Sequence, residues 1–411
     1  MSHNHNHHQS VLPAWMCAGP RNQVKQTNKR TELSLKTDQT TTLSFVSYNL
    51  LADLLTGEDA GFSSEKEDLM FEHRASKLLK MIFPNENENE NKGKGKAGEE
   101  EELGKKRMNA SEDDDDDENN EEAQNGITPD VICVQECDHY YDFFEPEMQK
   151  RGYFGVFRED KWSPCLKFST DVRDGLAIFA KKETCELVGM HISTHAEQKD
   201  QDAKVLFARL VMKKSLTRQE VVVINAHLES GQSPDKVVTR VNQAKEMCSR
   251  LNAFCVAQCS NINTVQIVVC GDFNATPEEP CMEHLRGRGL KSAFSDLELT
   301  GAGKDKEQQQ QQQIEGNTNN EENREPFFTT FKTRLGFFKN GTSKRCSDYI
   351  MYSAHRGAKI VSRVVPQQDG FGENVIGLPS KTQPSDHLLL RARVSFKDPI
   401  IASPNNNAAN K

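Results

Sequence analysis

The sequence predicts an α/β fold, on three observations. Short β-branched and apolar runs of strand length recur along the chain. Segments with helical apolar spacing lie between them. Polar residues of catalytic type stand at or beside the ends of five of these runs, where open α/β sheets carry their chemistry.

The chain has 411 residues, a net charge of −9 and 35% hydrophobic residues, with a mean hydropathy of −0.72. That length suits one large domain or two small ones. The low apolar content points to low-complexity tracts diluting an ordinary core. Residues 85–125 alone hold 16 acidic and 6 basic side chains. The remainder is therefore near neutral, and composition is compatible with a phosphate-bearing substrate. There are 11 cysteines, an odd count. Cys133/Cys137 and Cys255/Cys259 have C-x3-C spacing without a histidine at zinc-finger distance. Cys133 and Cys270 lie within apolar runs, where a free thiol acts as a small hydrophobe. This reads as a reducing compartment, with no disulfide framework and no disulfide-linked partner. No apolar stretch approaches the roughly 20 residues that span a bilayer, and the N-terminus has no signal-peptide core. The expectation is a cytoplasmic protein without a membrane partner. Nuclear or organellar placement stays open, because residues before Glu32 are basic without acidic ones. The oligomeric state is not set by the sequence.

Residues 1–40 are polar, and HNHNHH at residues 3–8 reads as a low-complexity tail rather than a metal site. Thr42–Tyr48 is the first predicted strand, with Asn49 at its end. Ser64-x-x-Glu67 reads as a capping box. It opens a helix anchored by Leu69, Leu78, Leu79 and Ile82 and closed by Pro84. Residues 85–125 cannot bury a core and are expected to be a disordered insert. Asp130–Val134 is the next strand, followed by Gln135 and Glu136. A helical stretch spans Tyr141–Met148, with Asp138 as its N-cap. Asp174–Ala180, Val205–Met212 and Glu220–Ala226 are three more strands, the last leading into His227. Ser233 caps a helix that has Pro234 at its first position. Its apolar face is Val237, Val241, Ala244, Cys248, Leu251 and Cys255.

The central stretch is IVVCGDFNATP, residues 267–277. Ile267, Val268 and Val269 form a buried strand that Gly271 ends. Asp272 and Asn274 follow, and their side chains point the same way if the chain stays extended. A β-turn is the bland alternative for the same residues. A second low-complexity insert covers 302–325. Phe327–Thr333 comes after it, Ser347–Ile350 begins a strand, and Pro384–His387 precedes the last strand, Leu388–Val394. Residues 397–411 are a tail. One catalytic domain is expected over residues 41–396.

Hydrolysis of a phosphate ester accounts for the residue types at the strand ends. It needs a cation to offset phosphoryl charge, and Mg²⁺, with Mn²⁺ as its substitute, prefers carboxylate oxygen. Glu136 suits the metal. Asp272 suits the attacking water. His387, held by a carboxylate such as Asp348, suits stabilisation of the phosphate. No nucleophilic Ser or Cys motif is present, so direct attack by water is favoured over a covalent intermediate. Each residue alone also has a bland reading: Asn49 as a turn, Glu136 as a solvated surface group, His227 as a core histidine, Asp348 as a cap.

YNLL, VQE, NAHLES, GDFN, SDYI and PSDH, in that order, resemble the endonuclease/exonuclease/phosphatase superfamily. The likeness covers about residues 42–395. PDVICVQECDHYYDFFEPEMQKRGYFG, DKWSPCL, DGLAIFAKK and VVCGDFNATP look closest to its nocturnin and carbon-catabolite-repressor-type deadenylase branch. The resemblance implies a four-layer sandwich of two packed mixed sheets with helices outside, and a site at the sheet ends. It implies Glu136 as the principal Mg²⁺ ligand, with Asn49 beside it and Asp386 next to the metal site. It implies Asp272 on the water, Asn274 orienting phosphate, His227 on the scissile phosphate, and Asp348 orienting His387. Glu229–Gly231 after Leu228 depart from the nocturnin pattern and look more like tyrosyl-DNA phosphodiesterases. Lys161 lies one position from the nocturnin lysine.

The leading functional expectation is a 3′-to-5′ exoribonuclease acting on an RNA 3′ end, with a deadenylase-like preference for poly(A). An NADP(H) 2′-phosphatase, a tyrosyl-DNA-phosphodiesterase-like enzyme and an inactive RNA- or protein-binding adaptor are the alternatives. Trp162, Phe327, Phe328 and Phe331 are candidate base platforms. Lys161, Lys332 and Arg334 are candidate phosphate contacts.

Overall fold

The computed structural model describes residues 40–57, 60–86, 128–192, 204–295, 325–334, 341–366, 371 and 375–397. Nearly all of both predicted inserts and both tails lie outside the described residues.

The chain forms β1 (Thr40–Asn49), α1 (Lys66–Leu69), α2 (Phe71–Ile82), β2 (Val131–Gln135) and α3 (Glu145–Lys150). Then come β3 (Tyr153–Glu159), β4 (Gly175–Lys181), β5 (Cys185–Ile192), β6 (Lys204–Met212) and β7 (Glu220–His227). They are followed by α4 (Pro234–Gln258), β8 (Gln266–Asp272), α5 (Pro280–Gly287) and β9 (Leu290–Ser292). The last elements are β10 (Thr330–Thr333), β11 (Thr342–Arg345), β12 (Asp348–Ser353), β13 (Lys359–Val364) and β14 (Leu390–Lys397). One six-stranded sheet has the order β13-β14-β1-β2-β4-β3, and the other β5-β6-β7-β8-β12-β9. β10 and β11 form a separate ribbon. Each sheet is mixed: β1/β2 and β7/β8 are parallel, among antiparallel neighbours.

Four layers follow from strand periodicity. Phe45, Val223, Val268 and Ile350 point between the sheets, into a shared core with Ile178, Leu206 and Leu390. Their neighbours point outward. Val46 and Ile132 meet Leu78 and Ile82 of α2. Ile224 and Val269 meet Met247 and Phe254 of α4. Strands covered on both faces read as unbroken apolar runs, which is why VVVI and IVVC do not alternate. This is the predicted four-layer α/β sandwich.

Asn225 is a buried polar residue in that core. Its amide nitrogen donates to Val134 O at 2.7 Å and Ala177 O at 2.9 Å, and its oxygen accepts from Gln135 Nε2 at 2.7 Å. One side chain thus ties β7 to both β2 and β4 of the facing sheet. Asn225→Ala is expected to cost about 2–4 kcal/mol, because it strands buried partners. A lower urea midpoint at unchanged slope checks this. A midpoint shift worth less than about 0.5 kcal/mol would contradict it.

Several local expectations are corrected. The capping box does not form: Glu65 occupies the N-cap of α1 without a side-chain cap bond, and Met70, in an extended conformation, separates α1 from α2. Asp138 does not cap the following helix, which begins instead with a π-helical turn at Tyr140–Phe144. Asp138 accepts from the Asp53 and Leu54 amides, at 2.7 and 3.4 Å, and so caps the 3₁₀ turn at Asp53–Thr56. Gly271 does not end its strand. It lies inside β8, where a β-carbon would sit 1.9 Å from Ala226 O, so only glycine lets β7 and β8 approach.

Candidate active site

Strand register assembles the site. β1 and β2 run parallel with Asn49 beside Gln135, so Asn49 and Glu136 end up adjacent at one rim. β7 and β8 run parallel with His227 beside Asp272, and β12 enters antiparallel with Asp348 beside Asp272. Stacking the sheets brings the two rims together. His387 arrives on the segment before β14, bridged to Thr330 of the ribbon.

Asp272 is the hub. Its Oδ2 lies 3.2 Å from Asn49 Nδ2, 3.6 Å from His227 Nε2 and 3.7 Å from His387 Nε2. Its Oδ1 accepts the Asn274 amide at 2.8 Å. Asn274 has φ 51°, so the chain is not extended there. The bland turn and the catalytic corner are the same structure: an Asx-type turn aims both side chains. Asn274 Nδ2 donates to Leu228 O at 3.1 Å, and Arg345 donates to its Oδ1 at 3.3 Å. Leu51 and Glu136 also have positive φ, 59° and 52°. Three non-glycine residues in this sparsely occupied region stand in or beside one site, where backbone strain tends to collect.

Glu136 accepts from Asn49 Nδ2 at 2.9 Å and from the Ala52 amide at 3.3 Å. Its side chain stays 16% exposed and lies 3.9 Å from His227. Asn49 turns its amide nitrogen to the carboxylates, and its oxygen takes the Leu51 amide at 3.0 Å. It thereby orients Glu136. His387 Nδ1 meets Asp348 Oδ2 at 2.9 Å. Asp348 Oδ2 also accepts from Thr329 Oγ1 at 2.6 Å and Ser347 Oγ at 3.1 Å. Asp386 Oδ2 pairs with Lys332 at 2.9 Å and Arg334 at 3.5 Å, and its Oδ1 lies 3.9 Å from His387 Nε2. That cation pair satisfies it, and it belongs to neither cluster of close donor atoms. Those clusters are Glu136/His227/Asp272 and Asp272/Asp348/His387, each with donor atoms within 4.8 Å of one another.

Burial pushes the His387 pKa down, but Asp348 and Asp272 outweigh it and raise it to about 9. The ring therefore carries its proton at neutral pH. Burial pushes Asp272 up, but His387, His227 and the Asn274 amide outweigh it, and its pKa lies below the ordinary value. Burial likewise opposes Asp386 ionisation, yet Lys332, His387 and Arg334 hold its pKa down.

These groups line a cleft of 350 Å³, walled by Trp162, Pro164, Lys167, Phe168, Lys204, Lys332 and Arg334. Trp162 lines this cleft, and Phe331 does not. Phe328 and Phe331 are buried with Phe371, Leu378 and Leu388, because the ribbon needs an apolar face of its own. Phe327 is 82% exposed and does not line the cleft. Lys161 is also absent from the cleft lining. Asp160 before it turns inward, and Lys161 stays exposed, with Nζ 4.9 Å from the Trp162 ring centroid.

Sequence reasoning missed four contributors. Buried Arg74 donates to Leu50 O, Leu51 O and Pro384 O at 2.9, 2.9 and 3.2 Å, joining the Asn49 and His387 segments. An arginine among helical anchors carries no sequence signal for this. Thr329 was hidden in an aromatic run. Ser385 donates to Asn49 O at 2.7 Å and accepts the His387 amide at 3.1 Å. It stood in PSDH but looked like a spacer. Lys204 opens β6, and nothing in its spacing marked it.

The chain matches the Endonuclease/Exonuclease/phosphatase family over residues 117–387. It is 31% identical over 274 residues to Nocturnin of Homo sapiens, covering 66% of this chain and 55% of that protein. It is 24% identical over 311 residues to the CCR4-Not complex 3′-5′-exoribonuclease subunit Ccr4 of Yarrowia lipolytica, covering 66% of this chain and 42% of that one. The chain thus spans about half the length of these curated relatives. Its fold is similar to the human Nocturnin catalytic domain with bound sulfate anion, with a TM-score of 0.54 and 22% identity, covering 88% of this chain and 97% of that one. Family match, two packed mixed sheets and a polar site at their common rim agree, and the chain belongs to the endonuclease/exonuclease/phosphatase family, whose members are metal-dependent.

Proposed function

We propose that this chain is a Mg²⁺-dependent phosphoesterase that trims RNA from its 3′ end by direct attack of water on phosphorus. One observation carries the hydrolytic part. Asp272 Oδ2, charged and buried, is ringed by Asn49, His227 and His387, with Glu136 beside it. The donor set fits a hard cation: Mg²⁺ uses one or two carboxylates and keeps the rest of its shell for water and substrate phosphate. Glu136 would hold it, oriented by Asn49. When bound, the ion supplies charge neutralisation at the phosphoryl oxygens. Asp272 accepts a hydrogen bond from the attacking water and aligns its lone pair on phosphorus. Protonated His387, fixed by Asp348, donates to the phosphoryl oxygens as their charge grows. His227 and Asn274 complete the cradle.

The RNA assignment is supported by the aromatic and basic cleft wall, which suits a stacked base and backbone phosphate. It is also supported by similarity to a relative named as a 3′-5′-exoribonuclease. The compact cleft of 350 Å³ favours a second reading, a 2′-phosphatase for a small phosphorylated dinucleotide such as NADP(H). The test is purified protein with Mg²⁺ on oligo(A), mixed-sequence RNA, NADP⁺ and a 5′-phosphotyrosyl oligonucleotide side by side. Shortening of oligo(A) from the 3′ end at the highest kcat/KM supports the first reading. Preference for NADP⁺ transfers the assignment to the second. Inertness toward all four contradicts both.

A further inference from the structure

Lys204 opens β6 directly across from His227 of β7. Facing residues of an antiparallel pair share one side of the sheet, so Lys204 lines the same cleft as His227. Its side chain is 15% exposed, and its Nζ lies 2.7 Å from Asp160 Oδ2, itself 3% exposed. Asp160 is held in turn: its Oδ1 accepts the Trp162 amide at 3.0 Å. Burial lowers the Lys204 pKa, but Asp160 and Asp174 outweigh it, so the side chain is an ammonium. A buried ion pair is a weak source of stability, because desolvation offsets the attraction. Here one such pair is built into a substrate cleft. An ammonium has three donors, and the ion pair with Asp160 takes up one direction only. Trp162, which lines the same cleft, has its Nε1 buried without a hydrogen-bond partner among the described residues, the kind of orphan donor that a ligand acceptor satisfies.

We propose that Lys204 is a specificity-determining residue, which binds a second phosphate of the substrate next to the scissile one. Asp160 acts through it, as a positioning residue that keeps the ammonium at the cleft wall. The inference rests on the phosphoesterase reading and narrows it, because such a site selects substrates with at least two phosphate groups over monophosphates. RNA and phosphorylated dinucleotides both meet that requirement.

The test measures Kd by calorimetry for adenosine 5′-monophosphate and adenosine 3′,5′-bisphosphate, with wild type, Lys204→Met and Lys204→Arg. Hydrolysis of bis(p-nitrophenyl) phosphate by wild type runs alongside. One charge-assisted contact is worth roughly 10–100-fold in affinity. Lys204→Met is expected to weaken the bisphosphate by that factor and the monophosphate by less than about 3-fold, and Lys204→Arg to recover most of the loss. With wild type active on the diester, equal weakening of both nucleotides, or of neither, overturns the inference alone. A purely structural Lys204–Asp160 pair gives that equal weakening. A wild type that binds neither nucleotide and hydrolyses nothing overturns the phosphoesterase reading, and this inference with it.

Discussion

Glu136→Ala is expected to abolish turnover, by at least about 10³-fold, and to leave the fold intact. The carboxylate is the most exposed acid of the site and touches the Asn49 amide and one backbone N–H. It therefore contributes little to packing. The backbone strain at Glu136, φ 52°, is already borne by a residue with a β-carbon, so alanine adds none. In the proposed mechanism the loss is instead catalytic: this oxygen pair would be the cation's principal ligand, and several kcal/mol of phosphoryl charge stabilisation would go with it. Circular dichroism melting and initial rates at limiting Mg²⁺ read the two effects separately. A folded mutant with wild-type activity at limiting Mg²⁺ would remove Glu136 from the site.

The second large effect concerns His387 and Asp348. They are in contact at 2.9 Å, both are buried, and Thr329 and Ser347 fix the carboxylate from behind. A carboxylate in this position sets the ring's orientation and stabilises its charged form. His387→Ala is expected to lower kcat by roughly 10²–10⁴. Asp348→Ala is expected to cost part of that, because the ring loses its orientation and its charge support but stays in place. The double mutant should be little worse than His387→Ala alone. A double mutant whose loss equals the product of the single losses would show that the two act independently.

The eight strands legible in the sequence are the eight interior strands of the two sheets. Of the twelve strands in these two sheets, the four that escaped, β3, β5, β9 and β13, are the four edges, and the ribbon strands β10 and β11 escaped as well. The reason is burial. Interior strands are covered on both faces and read as apolar runs. β5 and β13 are largely half-buried or exposed, and their sequences, CELVGMHI and KIVSRV, mix apolar and polar residues without a clean period. The site was legible for a related reason. Its residues cluster at strand ends, so Glu136, His227, Asp272 and Asp348 could be found by locating strands. Asn274 was found although its conformation was not, since Asp-x-Asn supports both a turn and a ligand corner. Arg74 and Lys204 were missed because they act chiefly through tertiary contact. Arg74 is bonded to carbonyls 23, 24 and 310 residues away, and Lys204 gains meaning only from its register with His227. Phe331 shows the reverse error: an aromatic next to lysine suggested a base platform, and a small apolar cluster claimed it.

The central claim is that water, held by Asp272, attacks phosphorus in a single displacement. Its most direct measurement is the stereochemical course at phosphorus, with a phosphorothioate diester of known configuration hydrolysed in ¹⁸O-labelled water. One in-line displacement predicts inversion, with the label on the phosphorus-bearing product. Retention would require two displacements through a covalent enzyme intermediate and would contradict the account.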